Sequence, residues 1–137
     1  MTAVLIDTGP LVAFLAEADL HHEWARDQWK SCLPPFYTCE AVLTEAAFLL
    51  ERERVPTDRL LDLVRRQIVQ LDFRLAPEIE AVAGLMQRYR PVPMSVADAC
   101  LVRMSEMKSE TKIFTTDRDF LMYRRHTRQM IPLICPW

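Results

Sequence analysis

The sequence predicts an α/β fold in which a parallel sheet is covered by helices on both faces. Three observations carry this reading. Short apolar runs rich in branched or aromatic residues recur near residues 3–6, 36–38 and 112–116. Helical periodicity or a helix-capping signal follows each of them. The strand-then-helix order runs through all 137 residues without an internal repeat or linker, the pattern of a parallel sheet joined by helical crossovers. That length suits one domain with one core, so a single domain over residues 1–137 is expected.

In chain order, Ala3-Val4-Leu5-Ile6 reads as a buried strand, and Asp7-Thr8-Gly9-Pro10 as a turn feeding a helix with proline in its first turn. A second helix over about 21–32 is stopped by Leu33-Pro34-Pro35; a strand at Phe36–Thr38 and a helix over about 40–52 follow. Thr57 or Asp58 caps a helix to about Leu71, with Leu60, Leu61, Val64, Ile68 and Leu71 at helical spacing. Residues 72–75 are a candidate edge strand, and Pro77 opens a helix to about Tyr89. Pro91 and Pro93 break the chain before a helix capped by Ser95. Lys112–Thr116 then reads as a buried strand, Asp117–Arg125 as a turn and short helix, and Ile131–Ile134 as a last strand.

Composition narrows the class. Residues are 50% hydrophobic and 26% charged with only two glycines, which excludes disorder and low-complexity or collagen-like chains. The net charge of -2 gives no bulk attraction to nucleic acid, so polyanion binding would need a local arginine cluster. No basic leader precedes the first apolar run, and no apolar stretch approaches the roughly 18 residues that span a bilayer. A cytoplasmic protein without a membrane segment is expected. Cys32, Cys39, Cys100 and Cys135 form no C-x-x-C pair and have no suitably spaced histidine, so they read as reduced thiols rather than zinc ligands.

Chemistry is sought at the carboxyl ends of the strands, where open parallel sheets bind ligands. Asp7 and Asp117 each follow an apolar run and would project at one rim. Either alone also reads as a cap or turn aspartate. Glu45 has Ala41, Val42, Phe48 and Leu49 as its helical neighbours, an apolar stripe that would turn the carboxylate toward the body of the protein. Burying it unpaired costs several kcal/mol, so an arginine, a proton or a cation should compensate it. Asp98, three residues after Ser95, either completes a capping arrangement or lies beside the apolar face of Leu101 and Val102. Four carboxylates within about 5 Å would repel by roughly 3 kcal/mol per pair at an effective dielectric of about 20. Such a cluster needs a cation. Oxygen-only ligands select hard divalent ions, Mg2+ or Mn2+, whose natural chemistry is phosphodiester hydrolysis.

The segments Ile6-Asp-Thr-Gly-Pro-Leu11, Leu43-Thr-Glu-Ala-Ala47, Ser95-Val-Ala-Asp-Ala-Cys-Leu101 and Phe114-Thr-Thr-Asp-Arg-Asp-Phe120, in this order, resemble the PIN-domain family, especially the compact VapC-type toxins of prokaryotic toxin–antitoxin pairs. The resemblance covers essentially the whole chain. It implies a three-layer α/β/α PIN-like domain with a central parallel β-sheet, an Mg2+ or Mn2+ site, and endonucleolytic RNA cleavage leaving a 5′-phosphate and a 3′-hydroxyl. Carried onto these motifs, it makes Asp7, Glu45, Asp98 and Asp117 the acidic quartet. Thr8 and Thr116 flank it, Thr115 or Thr116 would hold a quartet carboxylate or a water, and Asp119 is a fifth acid that also reads as a helix cap. It further implies a homodimer and a cognate small antitoxin.

Arg118, Arg124, Arg125 and Arg128 cluster after the last motif, where they could meet RNA phosphates or simply be solvated; Arg52 and Arg54 end the Glu45 helix. Trp24, Trp29 and Trp137 read as core or interface residues. Three other functions use the same residues. In a phosphotransfer domain Asp7 would be a nucleophile, but none of Lys30, Lys108 and Lys112 follows a strand end as that chemistry wants. A housekeeping PIN nuclease in RNA maturation and a noncatalytic PIN-like binding module are the other two.

Overall fold

A computed structural model describes residues 2–137. The chain begins with β1 (Ala3–Ile6), α1 (Thr8–Leu15), α2 (His22–Ser31), β2 (Phe36–Thr38), α3 (Glu40–Arg52), α4 (Thr57–Arg65) and β3 (Val69–Leu71). A 3-10 turn at Ala76–Glu78 leads into α5 (Ile79–Arg88), followed by α6 (Val96–Met107) and β4 (Thr111–Phe114). After a second 3-10 turn at Arg118–Leu121 come β5 (Arg124–Arg125), β6 (Gln129–Met130) and β7 (Leu133–Ile134).

Five strands form a wholly parallel sheet in the order β3-β2-β1-β4-β7. The predicted class is therefore the observed one. Right-handed crossovers place the helices of the two wings on opposite faces. On one wing α1 packs against α2, α3 and α4; on the other α5 packs against α6, which lies across β1 and β4. Leu5, Ile6, Phe36, Ile113 and Phe114 are buried as the middle of the core. Trp24 meets Phe114 edge-on and Trp29 stacks on Phe14 while leaning on Phe36, so both serve the core as expected.

Two expected elements are displaced. The helix that opens at residue 57 ends at Arg65 rather than Leu71, because Gln67 adopts a φ of 60°. Its N–H bonds the Val64 carbonyl at 3.0 Å, and the Ile68 N–H bonds that of Leu63 at 3.0 Å, the double closure of a Schellman end. That early stop frees Val69–Leu71 as the edge strand, and residues 72–75 are not one. Neither Thr57 nor Asp58 caps the helix; Pro56 occupies the cap position without a side-chain bond. The same closure ends α3, where Arg54 has φ 62° and Val55 N–H bonds the Leu50 carbonyl at 2.9 Å. The antiparallel pair of β5 and β6, turned through His126 and Thr127 at φ 49° and 75°, replaces the tail of the expected short helix.

Candidate active site

The chain builds outward from β1 to β2 and β3, then returns to the far side of β1 with β4 and β7. This reversal opens a crevice at the carboxyl ends of β1 and β4, because the segments leaving those strands turn to opposite faces. Asp7 leaves β1 and Thr115 leaves β4, side by side.

Asp7 caps α1 and is only 6% exposed. One carboxylate oxygen accepts the Thr8 N–H at 2.8 Å and the other accepts the buried Thr115 hydroxyl at 2.7 Å. The Thr115 oxygen in turn accepts the Asp117 N–H at 2.9 Å, so one hydroxyl joins the two strand-end aspartates. Of the two candidate threonines, Thr115 is the one whose hydroxyl meets Asp7. Asp117 is half-buried and caps the following 3-10 turn through the Asp119 N–H at 2.9 Å. The cap is thus Asp117, and the Asp119 carboxylate is left beside it.

Asp98 completes the capping arrangement that the sequence offered for it. Ser95 and Asp98 form a reciprocal capping box at the start of α6, with bonds of 3.0 and 3.1 Å. The Asp98 carboxylate also stands 3.5 Å from the hydroxyl of buried Tyr123, which donates to the Pro93 carbonyl. Tyr123 carried no signal in the sequence; the structure makes it a brace under the loop that delivers Asp98.

Glu45 is exposed, which corrects the expectation that it faces the body of the protein. The face of α3 that enters the core is Val42, Ala46 and Leu50. Phe48 and Leu49 lie at the surface, 61% and 37% exposed, so only the Val42 end of the apolar stripe around Glu45 enters the core. Glu45 reaches the crevice through the Thr8 hydroxyl, which donates to it at 3.1 Å.

Charge ties these groups together. Burial, more than the negative Asp98 and Asp117, raises the Asp7 pKa from 3.8 to about 7, against the opposing bonds from Thr115 and Thr8. Burial also raises Asp98, with Asp117 and Glu45 adding to it. Asp119 is raised by desolvation and by Asp117. None of the ion pairs formed by the described residues reaches Asp7, Glu45, Asp98 or Asp117. A buried carboxylate without a cationic partner, amid carboxylate and hydroxyl oxygens, fits a hard divalent cation. No three Asp, Glu, His or Cys side chains among the described residues stand as a ready chelating group. A cation would have to draw these mutually repelling carboxylates together.

The PIN-domain family model matches residues 4–125. The chain belongs to the PIN-domain family. The solved structure of VapC20 from Mycobacterium tuberculosis, described as a sarcin–ricin loop cleaving toxin, superposes with a TM-score of 0.74. The match covers 85% of this chain and 92% of that one at 22% identity, a likeness of fold. No curated protein matches the sequence significantly.

Within this PIN domain the arginine cluster divides. Arg125 is buried and donates to the Ser105 carbonyl at 3.2 Å, so it is structural. Arg124 folds back on the Leu121 and Tyr123 carbonyls at 2.8 and 3.1 Å. Arg118 is exposed, next to Asp117, and lies over the Trp137 ring at 5.0 Å. Arg52 lies over Phe48 at 5.8 Å.

Gly9 sits where α1 meets the last acidic segment. A Cβ there would fall 2.0 Å from the Thr116 hydroxyl oxygen and 3.3 Å from its Cβ. Gly9→Ala is therefore expected to destabilise the PIN domain by about 1–3 kcal/mol through overpacking. Thr116→Ala in the same chain should return much of the loss in denaturant melts. Equal stability of Gly9→Ala and wild type would show that Thr116 rotates away freely.

Proposed function

We propose that this PIN domain is a divalent-metal-dependent endoribonuclease, acting as the toxin of a toxin–antitoxin pair. The observation that carries the reading is the buried Asp7 carboxylate at the strand-order reversal, near Asp98 and Asp117 and lacking a cationic partner among the described residues. Asp7, Asp98, Asp117 and Glu45 would hold Mg2+ or Mn2+. When bound, the cation supplies Lewis-acid stabilisation of charge developing on the phosphodiester and makes water more acidic. Thr115 fixes the rotamer of Asp7 and the backbone that presents Asp117. Ser95 and Tyr123 fix Asp98. Thr8 aims Glu45 into the crevice. Asp119 is the remaining acid, beside Asp117, and would accept a hydrogen bond from a water in the crevice. Arg118 offers its charge to a phosphate flanking the scissile bond.

An antitoxin and a second copy of the chain are the partners that this reading calls for. Thr44, Glu45, Phe48 and Leu49 line an open groove of about 440 Å3 beside the crevice, and its exposed apolar rings suit an amphipathic antitoxin segment. No helix of the described residues is long and apolar enough to cross a membrane, which accords with action on cytoplasmic RNA.

The test is cleavage of a pool of structured RNAs, a sarcin–ricin hairpin among them, with Mg2+, Mn2+ or EDTA. Metal-dependent cutting that leaves 5′-phosphate ends is expected, lost in EDTA and restored by excess Mn2+. Cutting indifferent to EDTA would remove the acidic cluster from the chemistry. Tight Mn2+ binding without cutting would favour a noncatalytic binding module.

A further inference from the structure

Cys39 and Cys100 have no part in the chemistry above, yet they lie against each other behind it. Both are buried, at 2% and 1% exposure, both are free thiols, and each is the largest influence on the other's protonation. Cys39 occupies the N-cap position of α3 and Cys100 lies in α6, so the contact joins the two helices that carry Glu45 and Asp98. A cavity of about 140 Å3 is lined by both thiols with Glu40, Ala41, Phe73 and Leu75. Its wall reaches the surface at Glu40 and at Leu75, which is 37% exposed, giving a small oxidant a way in.

We propose that Cys39 and Cys100 form a redox site, closed to a disulfide by hydrogen peroxide or a small organic hydroperoxide, which slows the nuclease by tying the start of α3 to α6. Cys39 is the attacking sulfur. It occupies the N-cap position of α3, where the positive end of the helix favours a thiolate. The Cys39 thiolate attacks one peroxide oxygen and the O–O bond breaks; the leaving hydroxide takes up a proton as water, and a sulfenic acid remains. The Cys100 sulfur then attacks the Cys39 sulfur and the S–O bond breaks. The hydroxyl leaves as a second water with the proton that Cys100 gives up. Both sulfurs are oxidised by one electron and both peroxide oxygens are reduced by one.

The bridge bears on the crevice from two sides. Cys100 lies two residues past Asp98 on the same helix. Cys39 follows Thr38, whose hydroxyl donates at 2.7 Å to the Ile6 carbonyl, next to Asp7. Drawing the sulfurs to bonding distance shifts these supports, and a misplacement near 1 Å can cost about 100-fold in rate. Only the effect on cleavage rests on the nuclease reading; the bridge itself does not.

The experiment uses the full chain with Cys32→Ser and Cys135→Ser, so that no other thiol competes. After peroxide treatment, intact mass and a non-reducing peptide map should show loss of two hydrogens and a Cys39–Cys100 linked peptide, both reversed by dithiothreitol. In parallel, Mn2+-dependent cleavage should fall roughly 10- to 100-fold and recover on reduction, while the same chain with Cys100→Ala keeps its activity in peroxide. Thiols that remain unlinked, or that stop at sulfinic acid, overturn the site. A mapped bridge with unchanged cleavage overturns the slowing. If even the reduced protein cuts no RNA, the map still decides the bridge, and the Mn2+-induced thermal shift, expected to shrink on oxidation, decides its reach into the crevice.

Discussion

Asp7→Asn is expected to abolish metal-dependent RNA cleavage while making the metal-free protein more stable at neutral pH. The two effects have one cause. Asp7 is a buried carboxylate with a pKa raised to about 7, so above that pH it holds an unpaired charge that burial opposes. Asparagine keeps the shape. Its carbonyl can still accept the Thr8 N–H, and its amide can donate to Thr115 once that hydroxyl rotates. The shift from 3.8 to about 7 corresponds to about 4 kcal/mol that the neutral side chain does not forfeit above pH 7. Cleavage should fall by far more than the roughly 10- to 100-fold typical of losing an outer partner of a metal site. Single-turnover cleavage in Mn2+ and thermal melts in EDTA at pH 8 measure the two sides. A variant that melts below wild type in EDTA would show that the carboxylate is not under electrostatic strain.

Metal-free wild type should lose stability as pH rises from about 4 to about 7, and Mn2+ should return it mainly at the upper end. The sign follows from Asp7: its folded pKa lies above its unfolded value of 3.8, so across that interval the native state binds the extra proton. The stabilisation is complete below pH 4 and gone above 7. Asp98, raised in the same direction by burial, adds to the slope. A cation must displace the proton held at Asp7, so apparent Mn2+ affinity should climb by up to about tenfold per pH unit until pH 7 and then flatten. Melts of wild type and Asp7→Asn from pH 5 to pH 8, with EDTA or Mn2+, isolate this contribution as a difference. A wild-type-minus-variant difference that stays flat with pH would mean that Asp7 titrates normally.

The sequence revealed those features whose local signal and final environment coincide. Ser95 and Asp98 stand three apart before an apolar run, and that spacing became the capping box. Asp7 and Asp117 could be placed at one rim because β1 is a nearly continuous apolar run and β4 ends in the apolar pair Ile113-Phe114. What could not be read turns largely on backbone shape. With only two glycines in the chain, left-handed turns fall on Arg54, Gln67, His126 and Thr127, residues that give no turn signal. The stop at Gln67 was therefore invisible, and with it the true position of β3. Glu45 was misplaced for another reason. The apolar neighbours that marked it as inward include Phe48 and Leu49, which are surface residues, and periodicity does not distinguish a core stripe from an interaction stripe. The choice between Thr115 and Thr116 depended on strand register, which no pattern of residue types specifies.

That register has a consequence for how the molecule can diverge. Ile6 lies opposite Phe114 in the central parallel pair, and the Asp7 N–H extends the ladder to the Phe114 carbonyl at 2.9 Å. The meeting of Asp7 with Thr115 is thus measured by the two innermost strands, and a slip of one residue would point Thr115 to the opposite face. The alignment of these two residues is therefore set in the middle of the sheet rather than at its edge. The outer edge at β3, the rim of α3 around Phe48 and the β5–β6 hairpin stand outside that ruler. Descendants of such a chain are free to vary at that periphery while the meeting of Asp7 and Thr115 stays anchored at the centre.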